Sequence, residues 1–227
     1  SWLCLGRVDE IPEPGDFVRV DMGDEPLVMV RGAEGDIRVF TPVCAHRGHI
    51  LCEGAGSTGR LFRCPFHAWT YGLDGHLVAA PSMTDTVPLH DLKAETSLPS
   101  HQVEIWNGFV FTNLDPNAPP LAPTLHKLTA TLANYRVGEM VSMPVADILN
   151  CKWNWKPQLE NGIEPYHSAY LHGVLHDFAH VRLTSFVPFD DDDGAVYHPT
   201  GFYHQDAGFN PTAKALLPII ETLDEKQ

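Results

Sequence analysis

The chain has 227 residues, enough to bury a core without disulfide staples, and its 15 Lys and Arg against 29 Asp and Glu leave a net charge of −14. That balance repels phosphate backbones and anionic lipid, so nucleic-acid and peripheral-membrane binding are excluded as first readings, and no apolar run approaches the roughly 20 residues needed to cross a bilayer. Five cysteines, an odd number with no secretory leader, argue against a disulfide framework and for a reducing, cytoplasmic setting where thiols serve as ligands or core residues.

The opening Ser1-Trp2-Leu3-Cys4 carries neither an initiator Met nor a targeting pattern and reads as a fragment or a processed chain. Alternating β-branched and aromatic residues between turn clusters predict short strands at Asp16–Met22, Leu27–Arg31 and Ile37–Thr41. Val103-Glu104-Ile105-Trp106 and Phe109-Val110-Phe111-Thr112 flank Asn107-Gly108, two residues suited to the positive φ angles of a tight hairpin turn. That hairpin closes a β domain over the first hundred or so residues. Asp115-Pro116-Asn117-Ala118-Pro119-Pro120 then reads as a linker. Leu121, Leu125, Leu128 and Leu132 recur at helical spacing, as an ordinary core-facing stripe. From Trp153 to about His172 the pattern is helical again, with Trp155, Leu159 and Ile163 on one face and Glu160, Glu164 and His167 on another. Asp190 to Asp193 with Gly194 lacks the alternating ligands of a calcium loop and reads as a solvated turn.

Two loops of the β domain carry residues with chemistry. Cys44-Ala45-His46 and Cys64-Pro65-Phe66-His67 each set a soft thiol beside an imidazole at chelating spacing, and turn-forming residues follow both. Together they can hold a metal; buried thiols with satisfied histidines, or a structural Cys2His2 zinc site, are the competing readings. Zinc arms favour Cys-x-x-Cys or His-x-x-x-His form, which neither pair has. Gly54-Ala55-Gly56-Ser57-Thr58-Gly59 matches a dinucleotide-binding glycine string, but Cys64-Pro65 follows too soon for a crossover helix. It reads as a flexible loop between the two arms. Cys4, Cys52 and Cys151 have no chelating partner and read as small buried hydrophobes.

Cys44-Ala45-His46-Arg47-Gly48 and Cys64-Pro65-Phe66-His67-Ala68-Trp69-Thr70-Tyr71, continuing through Leu73-Asp74-Gly75, resemble the two cluster-binding loops of Rieske iron–sulfur domains. More narrowly, they resemble those of the Rieske non-haem iron oxygenases, the aromatic-ring-hydroxylating dioxygenase α-subunit superfamily. The resemblance implies a [2Fe–2S] cluster with Cys44 and Cys64 on one iron and His46 and His67 on the other. Two neutral imidazoles in place of two thiolates reduce the negative charge at one iron and raise its potential. Ala68 stands where the family usually has Gly.

Asn154 through His172 resembles the mononuclear-iron helix of the same oxygenases. The resemblance implies that His167 and His172 ligate Fe(II) with one carboxylate, leaving open positions for O2 and substrate, and gives Glu164 and Asn161 catalytic roles. Glu164 occupies the position, three residues before the first histidine, where the family commonly has a bridging aspartate. A side chain there can hydrogen-bond the second nitrogen of His167 and fix its tautomer. By the same resemblance Glu164 contacts His67 of a neighbouring subunit, which implies a ring-like homo-oligomer, most simply a trimer. His172, His176 and His180, spaced four apart, form a rival triad, weakened by Gly173. The third, carboxylate ligand is unassigned: Asp190 to Asp193, Asp206 and Asp224 lack the expected helical setting, and the ligand is expected beyond Gln227. His49, His76, His90, His101, His126, His198 and His204 have no chelating partner nearby and read as surface or core residues.

These readings give an α+β chain. The resemblance implies that residues 1–116 are an N-terminal all-β Rieske domain, 117–139 a linker and helix, and 140–227 the truncated start of a helix-grip-like α+β catalytic domain. The function the resemblance implies is hydroxylation of an organic substrate, an aromatic ring first, with O2 and with electrons from NAD(P)H through a flavin- or ferredoxin-type reductase. Oxidation of a quaternary-ammonium or aliphatic substrate is the alternative; Glu164 tilts the reading that way, because that branch often carries Glu there. Tyr166 and Tyr170 flank the helix, as aromatic faces for a cation or as core. A non-catalytic Rieske electron carrier is the third reading, and the Glu164, His167 and His172 helix counts against it.

Overall fold

The computed structural model describes residues 1–83, 85–143, 151–164 and 166–172. They divide into two units, one of Ser1–Leu121 with Val137–Met143, the other of Ala122–Arg136 with 151–164 and 166–172.

Short antiparallel strands build the first unit: β1 (Leu3–Arg7), β2 (Asp16–Met22), β3 (Glu25–Arg31), β4 (Ile37–Phe40), β5 (Ala55–Ser57), β6 (Leu61–Arg63), β7 (Thr70–Gly72), β8 (Leu77–Ala79), β9 (Gln102–Trp106) and β10 (Phe109–Asn113). They form three sheets, ordered β1-β10-β9, β4-β3-β2-β5 and β6-β7-β8. Leu27, Val28, Met29 and Val30 are all fully buried on β3, because that strand is central to its sheet and has a core on each face. Successive side chains point to opposite faces. Val28 and Val30 therefore join Phe40, Phe62 and Tyr71 in one core, while Leu27 and Met29 join Ile11, Val39 and Val110 in the other. At roughly 1.5–3 kcal/mol for each large apolar side chain buried, β3 ties together both halves of the unit.

The β9–β10 hairpin turns at Asn107 (φ 48°) and Gly108 (φ 81°), the left-handed pair that the dipeptide predicts. Two features depart from expectation. The unit contains a helix, α1 (Leu89–Thr96), whose only buried residue is Leu92; one apolar position gives no period to read. Ala55–Ser57 is a strand and not a flexible loop. It pairs with β2 from Asp16↔Ser57 to Val18↔Ala55, an exposed edge held by backbone hydrogen bonds that side-chain pattern cannot announce.

In the second unit, α2 (His126–Leu132) begins after a 3-10 turn at Ala122–Leu125, and Leu121 is buried in the first unit. The leucine stripe is thus divided between units. Then α3 (Trp155–Ile163) starts at Asn154, whose side chain accepts the Lys156 N–H at 3.0 Å as an N-cap. It does not run on to His172. Glu164 is extended, at φ −100° and ψ 121°, because the proline that follows it in sequence disfavours the helical region. A single turn, α4 (Ser168–Leu171), follows.

Candidate functional site

The two Cys-His loops are built alike. The Cys44 N–H donates to the His49 carbonyl at 2.8 Å and the Cys44 carbonyl accepts the Gly48 N–H at 2.9 Å. The Cys64 N–H likewise donates to the Trp69 carbonyl at 2.8 Å, and the Cys64 carbonyl accepts the Ala68 N–H at 3.0 Å. Each turn closes through a left-handed residue four positions after its cysteine: Gly48 at φ 72°, Ala68 at φ 57°. Ala68 therefore bears the strain that Gly48 avoids.

Thiols lie inside and imidazoles outside. Cys44 and Cys64 are only 2% and 3% exposed, within the core that holds Tyr71 and Phe62. His46 is half-buried, His67 exposed, and Phe66 beside it is 68% exposed. The two imidazoles meet edge to face with centroids 4.5 Å apart at 79°, and His49 meets Phe66 the same way at 4.7 Å. Burial first, then the neighbouring His67 and Arg47, hold the His46 imidazole below its ordinary value, which favours the neutral form that binds metal. Among the described residues no three His, Cys, Asp or Glu side chains converge as one metal ion requires. Two buried sulfurs and two outer nitrogens, grouped in pairs, fit a two-iron group that takes two protein ligands at each iron.

Two residues quoted in the motif but given no role complete this pocket. The Tyr71 hydroxyl accepts the Ala45 N–H at 3.0 Å and lies 3.4 Å from Cys44 Sγ. Burial, and then the Cys44 thiol, push the Tyr71 phenol well above its ordinary value, so its proton stays in place. Trp69, 3% exposed, stacks on His46 with centroids 5.0 Å apart at 9°. Among the described residues its buried Nε1–H has no hydrogen-bond partner. That uncommitted donor beside the loops is a second feature consistent with a bound inorganic group. Trp69 and Tyr71 are two apart, so both face inward where the chain enters β7.

None of the five cysteines is in a disulfide. Cys52 is buried in the same core, and burial pushes its thiol up to about 11. Cys4 and Cys151, by contrast, are exposed and not buried hydrophobes: Cys4 points outward from β1 beside a bulge, and Cys151 precedes α3.

The second constellation is a turn rather than a helix face. Having left the helix, the Glu164 carboxylate accepts the Tyr166 N–H at 2.9 Å, the His167 N–H at 3.2 Å and His167 Nδ1. The His167 hydrogen bond, chief among the causes, lowers the Glu164 pKa below the usual carboxylate value. With Nδ1 committed to Glu164, the Nε2 lone pair of His167 is the one left for a metal. His172 lies beside it, ring centroids 5.3 Å apart at 75°. Asn161 is exposed on α3, and among the described residues no hydrogen bond joins it to this group. Tyr166 and Tyr170 are 71% and 79% exposed with rings 6.2 Å apart, so they are not core. His176, His180, His198, His204, Asp190 to Asp193, Asp206 and Asp224 lie outside the described residues.

The family model of the Rieske [2Fe–2S] domain matches residues 1–101. The chain is 32% identical over 188 residues to the carnitine monooxygenase oxygenase subunit of Acinetobacter pittii, covering 80% of this chain and 48% of that one. It is 35% identical over 196 residues to the glycine betaine monooxygenase oxygenase subunit of Chromohalobacter salexigens, covering 85% and 41%. With biphenyl 2,3-dioxygenase subunit alpha of Rhodococcus jostii the identity is 31% over 222 residues, 89% of this chain and 46% of that one. The crystal structure of a quaternary ammonium Rieske monooxygenase with a bound inhibitor superposes at a TM-score of 0.76 and 31% identity, over 84% of this chain and 52% of that one. The chain spans about half the length of the curated relatives it matches. No helix among the described residues is long and apolar enough to cross a membrane. Residues 1–101 are thus a Rieske [2Fe–2S] domain, and domain match, relatives and superposed structure converge on one superfamily to which the chain is similar: the Rieske non-haem iron oxygenases.

Proposed function

We propose that this chain is part of the oxygenase component of a Rieske monooxygenase that oxidises a small quaternary-ammonium compound. The observation that carries the oxygenase reading is the pairing of a buried Cys44/Cys64 thiol pair with an outer His46/His67 imidazole pair, followed downstream by the Glu164-held His167/His172 pair. Cys44 and Cys64 would hold one iron of a [2Fe–2S] cluster, and His46 and His67 the other. His167 and His172 would hold Fe(II), with a carboxylate from outside the described residues as third ligand. Bound at these two places, the cluster supplies one-electron transfer and the Fe(II) supplies open positions for O2 activation.

The chain's own residues prepare that chemistry. Glu164 keeps the His167 proton on Nδ1 and turns Nε2 toward the metal position. Its other oxygen, which among the described residues accepts only the Tyr166 N–H, keeps a lone pair for His67 of a second copy. In this reading a flavin- or ferredoxin-type reductase delivers electrons from NAD(P)H, and subunits close into a ring, most simply a trimer.

For the substrate, the carnitine and glycine betaine monooxygenase subunits among the relatives support the quaternary-ammonium alternative over an aromatic ring, and Glu164 in place of aspartate points the same way. Biphenyl 2,3-dioxygenase subunit alpha keeps the aromatic class as a second reading. The test uses the full reading frame that carries this chain, with reductase, NADH and O2. L-carnitine or glycine betaine should stimulate coupled NADH and O2 consumption where biphenyl does not. Stimulation by biphenyl alone would overturn the substrate class, and no O2 consumption with any substrate would overturn the oxygenase reading.

A further inference from the structure

A metal-ligating histidine is usually oriented by a hydrogen bond at its second ring nitrogen. His167 has such a partner in Glu164. Among the described residues the His46 ring makes no hydrogen bond, yet it is half-buried and nearly parallel to Trp69, with centroids 5.0 Å apart. The indole itself is held firmly. Trp69 is 3% exposed, its backbone carbonyl accepts the Cys64 N–H at 2.8 Å, and the next residue begins β7, the central strand of its sheet. Thr70 Oγ1 donates to the Ala68 carbonyl at 2.9 Å, which fixes the backbone on the other side.

We propose that Trp69 is the positioning residue for His46, fixing its ring plane by stacking where a hydrogen bond would otherwise do so. The proposal rests on the reading of Cys44, His46, Cys64 and His67 as cluster ligands. Two of its consequences follow from the geometry. His46, which would be one of two ligands at the outer iron, takes a single orientation although it is only half-buried. The role belongs to a flat, buried ring, and a side chain of similar volume without a face cannot supply it. Among the described residues the Trp69 Nε1–H has no hydrogen-bond partner, so the indole's contact with His46 is through its face and not through its donor.

The test uses the 227-residue chain with iron and sulfide reconstituted anaerobically. Trp69→Leu should broaden the EPR signal of the reduced protein and speed cluster loss to a chelator about tenfold. Trp69→Phe, which keeps a flat ring and lacks the N–H, should recover the wild-type linewidth and bring the loss rate back to within about twofold. Leu77→Ala controls for destabilisation: Leu77 is fully buried in the same core on β8, and its loss should lower the melting temperature while leaving the linewidth unchanged. A narrow signal in Trp69→Leu, a Trp69→Phe signal as broad as that of Trp69→Leu, or equal broadening in Leu77→Ala would overturn the proposal. A wild-type chain that binds no cluster would remove the reading beneath it, an outcome distinct from the other three.

Discussion

The Tyr71 hydroxyl stands 3.4 Å from the Cys44 sulfur, and its oxygen already accepts the Ala45 N–H at 3.0 Å. Its own hydrogen is therefore left for the sulfur. A donor to a metal-bound sulfur stabilises the reduced, more negative state more than the oxidised one, and so raises the potential. If the difference is about 1 kcal/mol, Tyr71→Phe should lower the one-electron potential by roughly 40 mV. Redox titration of the visible spectrum reads this directly. An unchanged or higher potential would show that the phenol does not donate to Cys44.

Gly48 and Ala68 hold equivalent places in the two loops, at φ 72° and φ 57°. A side chain at such angles is strained by about 1–2 kcal/mol, partly offset in the unfolded chain by the greater freedom of glycine. Ala68→Gly should then stabilise the first unit by about 0.5 kcal/mol. Gly48→Ala should destabilise it by about 1 kcal/mol, through backbone strain alone, because a Cβ at Gly48 meets nothing within 4 Å. Urea unfolding of the two variants is the measurement. Opposite signs are expected, and a loss of stability in Ala68→Gly would contradict the equivalence of the loops.

Burial holds the His101 imidazole below its ordinary value, with Glu25 acting in the other direction. Its ring lies 2.9 Å from Thr41 Oγ1, and the His101 backbone N–H donates to the Val39 carbonyl at 2.9 Å. The unfolded chain takes up this proton near pH 6.5, at about the free imidazole value, while the folded chain resists until lower pH. Unfolded protein thus binds more protons in that interval. The stability tied to neutral His101 is whole above the unfolded value and declines as pH falls below it. His101→Gln retains a polar partner for Thr41 and does not titrate. Wild type should lose stability relative to this variant between pH 6.5 and 5; parallel profiles would contradict the assignment.

Glu164 joins His167 through a turn that leaves its second oxygen less committed. In the intact enzyme, Glu164→Gln should leave both metals bound and the cluster reducible, yet slow cluster reoxidation in a single turnover by roughly 10–100-fold. Stopped-flow with pre-reduced enzyme measures it. Reoxidation at the wild-type rate would show that the carboxylate carries no electron link between subunits.

Local signals made some of this legible in the sequence. Asn107-Gly108 announced its hairpin because turn chemistry is a property of two residues, and the alternation of Asp16–Met22 announced β2. The Cys-His pairs stood out because chelating spacing is equally local. Other features depend on contacts distant in sequence or on backbone alone. β5 is an exposed strand defined by its ladder to β2, and α1 buries one side chain. Pro165 was visible in the sequence, yet the apolar period around it suggested one helix through His172. The proline preference prevailed, and the Glu164–His167 contact arose from the resulting turn. Trp69 and Tyr71 acquire their roles only once the two loops are folded against each other.

The cluster assignment is tested most directly by reconstituting the 227-residue chain anaerobically with iron and sulfide, then recording EPR and pulsed nitrogen-coupling spectra of the dithionite-reduced protein. A red-brown protein is predicted, with a low average g value and two nitrogen couplings, one lost in His46→Cys and the other in His67→Cys. A colourless protein that retains a single zinc ion, or a cluster with no nitrogen coupling, would contradict it.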